Sequence, residues 1–345
     1  MLAVLSIRRP RQLTVHEPRE NKNQVALPVP LLAVMKTWTH EYDFRLITPG
    51  RGELGELPVE ITPHLTHLNA RQLLKRPSRE WFTSRPGPVP QLTTLEIDAT
   101  VEFQSQIHDI VTWAPNTENL TLTCNTLPLL TGLRPIAFQL KSLAVSCKFP
   151  CNDAVDMAAM RGFLRSLTAC RYVKLGVCTE DTGLFLANAP ALEHVVLDLH
   201  SCAVGYLISA LEGIVFERDE KSTRVTEVEL QNTALVLQDG YPNVFESMVR
   251  VFPLLRVLRM TECRVWADED ESPSPIDHYL ARLLIFPHLR EIHIGSVDFA
   301  KRTASHFQAL VAHSPDLRIF TPPGFVMPPI IVAPSTPVTA PVLGL

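Results

Sequence analysis

Apolar and polar positions alternate in short bursts along this chain, and the bursts recur. In Phe252–Val265, FPLLRVLRMTECRV, apolar residues fall at Leu255, Leu258, Met260 and Val265, with Cys263 between the last two. A spacing of two sends Leu258 and Met260 to the same face of a strand. Twelve Leu- or Val-centred phrases align in this way. The clear ones are Leu92–Ile97, Thr117–Leu122 and Leu140–Val145, followed by Tyr172–Val177, Leu192–Leu197, Val225–Leu230, Leu255–Met260 and Leu289–Ile294. Leu65–Ala70 and a truncated Leu317–Phe320 fit less fully, and Arg11–Val15 and Asp43–Leu46 are the faintest.

Between the phrases the period changes from two to about 3.6, as a crossover helix requires. Ile107, Ile110, Val111 and Trp113 share one helical face, as do Phe245, Met248, Val249 and Phe252. Tyr279, Leu280, Leu283 and Leu284 form another such set, and Phe307, Leu310 and Val311 a shorter one. Pro115, Pro190, Pro253, Pro287 and Pro315 each stand just before the next strand phrase. Proline cannot continue a helix and biases its predecessor to extended backbone, so it resets the chain for a strand.

Apolar residues at relative positions 1, 4, 6 and 11, with Asn or Cys at 9 (here Asn125 and Cys263), are the pattern of a leucine-rich repeat. The predicted fold is α/β: a leucine-rich-repeat (βα) solenoid with a curved parallel sheet on its concave face and helices on its convex face. With position 4 as marker, the copies fall at 68, 95, 120, 143, 175, 195, 228, 258, 292 and 320, in steps of 27, 25, 23, 32, 20, 33, 30, 34 and 28 residues. Several steps exceed the roughly 20–29 residues of such repeats and imply insertions. The expected organisation is an irregular N-terminal segment, 1–62, then the solenoid, 63–320, then a Pro-rich tail, 321–345, without charge and expected to be disordered. Asp268–Glu271 begins an acidic loop in which Ser272-Pro273 and Ser274-Pro275 match the minimal pattern for proline-directed phosphorylation.

Composition narrows the function classes. Hydrophobic residues make up 46% of the chain and charged ones 20%, which suits a long continuous core. A formal net charge of −4, with basic residues only in short Pro-broken clusters, argues against nucleic acid as partner. Seven Cys with no CxxC pair do not make a disulfide framework, and no third and fourth ligand joins Cys147 and Cys151. Free thiols, with neither a signal-peptide pattern nor an apolar run of membrane length, point to a cytoplasmic or nuclear protein without membrane attachment. Phosphate-cradling, zinc-protease and serine-hydrolase motifs are absent, so no catalytic residue, cofactor or metal site is expected, and the protein is read as non-enzymatic.

The remaining candidates are the residues the repeat turns outward. Positions 4 and 6 face the core, so 3, 5 and 7 face away, on the concave side. From these rows the expected partner-binding residues are Thr121, Thr123, Ser142, Ser146, Lys174, His194, Asp198, Glu227, Glu229, Arg259, Glu291 and His293. Small side chains floor the middle rows and charges occupy the C-terminal ones, a surface suited to seating a protruding segment and orienting it by charge.

The segments APNTENLTL, APALEHVVLDL, FPLLRVLRM, FPHLREIHI and SPDLRIF share a helix–Pro–x–Leu–x–x–Leu–x–Val cadence. In this the chain, over residues 63–320, resembles the leucine-rich-repeat region of F-box proteins, particularly the large fungal family. That resemblance implies a substrate receptor whose F-box docks on Skp1 of a cullin-type ubiquitin ligase while the repeats hold the target. Leu57-Pro58-Val59-Glu60-Ile61 is similar to the opening of such a box, with Leu68, Leu73, Leu74 and Trp81 in its continuation. The stretch 54–81 is short for the family, and Pro63 and Pro77 fall in its helices, so the box is absent or degenerate. Leu57, Pro58 and Ile61 are the residues the resemblance assigns to Skp1. The alternative is a repeat protein that regulates or scaffolds another protein, of GTPase-activating or inhibitor type, unrelated to ubiquitin. In either case the chain is expected to be a monomer outside its complexes.

Overall fold

The structure is a computed structural model. It describes residues 12–16, 43–47, 65–70, 88–99, 111–149, 153–176, 179–198, 211, 223–237, 244–267, 282–296, 307, 310–311, 314 and 316–325. The acidic loop with Ser272 and Ser274, the Leu57–Ile61 phrase, Trp81 and the tail beyond Phe325 lie outside these residues.

Twelve strands form one sheet in which spatial order follows chain order and every pairing is parallel. They are β1 (Gln12–His16), β2 (Asp43–Ile47), β3 (Leu65–Ala70), β4 (Thr94–Ala99), β5 (Asn119–Thr126) and β6 (Ser142–Phe149). Next come β7 (Tyr172–Gly176), β8 (His194–Asp198) and β9 (Glu227–Gln231). After β9 the chain turns into β10 (Ala234–Leu237), and after β11 (Val257–Thr261) into β12 (Arg264–Ala267). β10 and β12 pair with each other in a second, two-stranded parallel sheet that the repeat pattern did not foretell. β13 (Glu291–Ile294) and β14 (Arg318–Phe320) complete the main sheet. Consecutive parallel strands joined by crossovers, one per repeat, make the chain a leucine-rich-repeat solenoid. Strands stack about 4.8 Å apart whereas helices need about 8–10 Å, so the helical side splays and the sheet lies on the inside of the bend.

One backbone ladder runs along the strand entrances. Glu118 and Asn119 both donate to the Thr93 carbonyl, Lys141 and Ser142 to Glu118, and Arg171 and Tyr172 to Lys141. The pattern repeats from Arg171 through Glu193, Thr226 and Arg256 to Arg290, whose carbonyl accepts from Arg318. This ladder corrects two markers. Leu143 pairs with Val173, not Leu175, and Val173 with Val195, so the uneven steps become 30 and 22 residues. Ile292 pairs with Ile319, not Phe320, which turns Phe320 outward.

The described crossovers pack apolar side chains against the sheet. α1 (Ala154–Arg165) starts at Asp153, whose carboxylate accepts the Val155 N–H at 2.7 Å, and it buries Met160, Phe163 and Leu164. α2 (Thr179–Asn188) is tied to it through Asn188 Oδ1, which accepts from Arg165 Nε at 3.3 Å. α3 (Val244–Val251) buries Val244, Phe245, Met248 and Val251; of the face read from the sequence, Phe245, Met248 and Phe252 are buried and Val249 is half-buried, and Pro253 follows. Two of the described crossovers use 3₁₀ turns instead, over Leu127–Gln139 and Arg282–Ile285, the second where an α-helical period was read. Pro135, inside the first, has no N–H to donate. Together with the inward strand positions these faces make one continuous apolar core. Leu68 belongs to it as a residue of β3, so it is a repeat residue and not part of an F-box helix. Phe325 packs on the same core after a turn at Pro322.

Candidate functional site on the outward sheet face

The twelve outward residues marked in the sequence sit on seven strands: Thr121 and Thr123 on β5, Ser142 and Ser146 on β6, Lys174 on β7, His194 and Asp198 on β8, Glu227 and Glu229 on β9, and Arg259 on β11, with Glu291 and His293 on β13. The register brings most of them into two clusters.

The first is centred on Lys174. Its Nζ donates to Gln231 Oε1 at 2.7 Å and lies 3.5 Å from Asp198 Oδ2. Because Lys174, Val196 and Glu229 are in register, the Lys174 stem must cross β8 to reach β9. That crossing accounts for Val196 being 1% exposed on a face open to solvent. Gln231 Nε2 donates to Glu229 Oε1 at 2.6 Å, and Thr261 Oγ1 to the same oxygen at 2.9 Å. Asp198 Oδ1 accepts from Asn232 Nδ2 at 3.0 Å. Beside this network lies a half-open hollow of about 230 Å³, floored by Thr121, Thr123, Ala144, Ser146 and Gly176 and walled by Lys174 and Asp198. Ser142, at the strand entrance, does not line it.

The second cluster joins β8, β9 and β11. Arg259 Nε donates to Glu227 Oε1. His194 Nε2 lies 3.8 Å from the same oxygen, too far for a hydrogen bond, and is buried without a partner, while its ring packs edge-on against Tyr172 at 4.9 Å. Burial pushes the His194 pKa below its ordinary 6.5, and Arg259 adds to this, against the pull of Glu227 and Glu229. Tyr172 is pushed up by burial, then by Glu229 and Glu227. Glu291 and His293 stand apart: Glu291 is 3.2 Å from His293 and 3.2 Å from Arg318, and the His293 ring stacks on Phe320 at 4.3 Å. Tyr172, Asn232, Arg318 and Phe320 were absent from the sequence-derived set. The register corrections at β7 and β14 admit three of them, and Asn at a tight bend is the signal that marks the fourth.

A half-buried His whose pKa is held below 6.5 gives a testable pH dependence. The unfolded chain takes up a proton near 6.5, whereas the folded chain does so only at lower pH, so acid favours unfolding. Stability falls as pH drops below 6.5, and we expect His194→Gln to flatten that fall in urea melts at successive pH values. An unchanged slope would show that other groups set the acid response.

Cys263, at repeat position 9, donates Sγ to the Leu230 carbonyl at 3.4 Å, and burial pushes its pKa up to about 12. Cys170 is likewise pushed up to about 12 by burial. The thiolate is the nucleophilic form, and burial disfavours it at both positions. Among the described residues no group of three or more His, Cys, Asp or Glu could hold a metal ion, and no helix is long and apolar enough to cross a membrane.

No protein-family profile matches the sequence, and no curated protein sequence does. Among solved structures the chain is similar to one described as the crystal structure of a TLR13–ssRNA13 complex, at 13% identity and a TM-score of 0.40. The match covers 81% of this chain and 42% of that one, so this chain spans less than half the length of that protein.

Proposed function

We propose that this protein is a non-enzymatic recognition solenoid that holds a protein partner on the concave face of its sheet. The observation that carries this reading is the hollow beside Lys174, small-floored and open to solvent, next to side chains already fixed by one another. Groups held by mutual hydrogen bonds lose little further freedom on binding, which favours specific association. The face also disfavours nucleic acid. Its described side chains include five carboxylates, Glu96, Asp198, Glu227, Glu229 and Glu291, against three cations, Lys174, Arg259 and Arg318.

The finer reading is a substrate receptor of F-box/leucine-rich-repeat type, cytoplasmic or nuclear, with a shortened box centred on Leu57, Pro58 and Ile61. It is supported by the resemblance of Leu57–Ile61 and of the repeat cadence. Two measurements test the two levels. Purified Skp1 is titrated with wild type and with Leu57→Ala/Pro58→Ala; binding lost in the variant supports the receptor, and no binding by wild type removes the ligase role. Separately, partners captured from source cells by wild type are compared with those captured by Ser146→Trp, which fills the hollow. Loss of a captured protein supports the concave site, and an unchanged set refutes it.

A further inference from the structure

Resting on that reading, we infer that the hollow seats a single carboxylate, the acidic side chain of a partner's Asp or Glu, with Lys174 as its counter-charge. Two charged groups face the hollow, and their exposure differs. The Asp198 side chain is 12% exposed and the Lys174 side chain 36%. Both Asp198 oxygens are engaged, one by Asn232 and one by Lys174. The ammonium has three hydrogens. Gln231 takes one at 2.7 Å and Asp198 draws a second at 3.5 Å, which leaves the third for the hollow that Lys174 lines.

The floor adds donors of the right kind. Thr121, Thr123 and Ser146 turn toward the same space and take no part in the network of Lys174, Asp198, Glu229, Gln231 and Thr261. Ala144 and Gly176 between them leave room for an incoming group instead of filling it. One ammonium hydrogen and three hydroxyls form a donor-rich cup for a carboxylate, and charge-assisted bonds of this type are the strong ones. A cationic side chain would meet Lys174 first. The surrounding carboxylates restrict the occupant further. Glu96 lies one strand beyond Thr121 and Glu229 one strand beyond Val196, so a polyanion would meet more repulsion than one compact charge, for which the Asp198 carboxylate is already offset by Lys174 and Asn232.

The test is an NMR titration of the whole protein with three isolated probes: the N-acetyl, N-methylamide derivatives of glutamate, glutamine and lysine. Saturable shifts of the Thr123 and Ala144 methyl signals are expected, with the glutamate probe binding about tenfold more tightly than the glutamine probe. Lys174→Met should erase that preference. Thr123→Val, which keeps the side-chain volume, should weaken the glutamate probe severalfold in a protein that remains folded. Equal binding of glutamate and glutamine probes, tighter binding of the lysine probe, or no saturable glutamate binding would each overturn the inference. Those results would leave the capture comparison with Ser146→Trp untouched, so the two readings fail separately.

Discussion

Replacing Phe245 with Ala is expected to lower the stability of the fold by about 3–5 kcal/mol. Phe245 is 0% exposed and lies on the buried face of α3, between Val244 and Met248. Truncation removes the ring's transfer free energy and leaves a cavity that the close-packed surroundings can only partly close. In a repeat array each unit contacts only its neighbours, so the damage should stay local. Hydrogen exchange should accelerate in β9, β11 and β13 and change little in β4 and β5. The control is Arg250→Ala, an exposed position on the same helix, which should cost no more than about 0.5 kcal/mol. Equal losses in the two variants would mean that Phe245 does not anchor the core.

Asn232→Val should be the next most damaging single change, at about 2–4 kcal/mol. Two separate effects act together. Asn232 has a φ of 51°, a left-handed conformation that Asn tolerates and a β-branched residue does not. Its side chain also donates to Asp198 Oδ1 at 3.0 Å, so valine would strip one bond from a buried carboxylate. The bend after the next strand of the main sheet, β11, gives the opposite sign. Glu262 has a φ of 55° and is exposed, so Glu262→Gly should raise stability by about 0.5–1 kcal/mol by relieving the strain. Urea melts of both variants decide the matter. Destabilisation by Glu262→Gly would show that the glutamate side chain holds its bend by contacts that outweigh the strain.

Much of this architecture is legible in the sequence because the pattern that builds it is periodic. Each of the twelve strand phrases is a strand of the main sheet, in chain order. The two register errors have different physical origins. In Tyr172–Val177 both Val173 and Leu175 point inward, and a shift of two residues keeps every side chain on its own face. Apolar pattern alone cannot separate the two; the carbonyl ladder can. At the last strand both Ile319 and Phe320 are apolar; Ile319 packs against the core and Phe320 stacks on the His293 ring. That contact joins residues from different repeats and leaves no local trace. β10 and β12 each follow a bend with a left-handed residue, Asn232 and Glu262, which the main repeat does not mark.

The candidate site was legible in its parts and not in its assembly. Every charged member faces outward as alternation requires. The sequence does not reveal that Lys174 passes over β8 to bond a residue 57 positions later. Nor does it reveal the hollow, which arises where Gly176, Ala144 and Ser146, small residues of neighbouring repeats, come to lie side by side. Both depend on side chains meeting across strands, the level at which a one-dimensional pattern stops.

The carbonyl ladder along the strand entrances bears on how the molecule responds to being pulled. Its links join each strand to the next, so tension applied at the two ends would load them one pair at a time, like a zipper, and not all together as in shear. Each rung that opens frees only the crossover of its own repeat before the next rung takes the load. A molecule built this way lengthens in small instalments at low force, and an end repeat can peel away and reseat while the rest keeps its form.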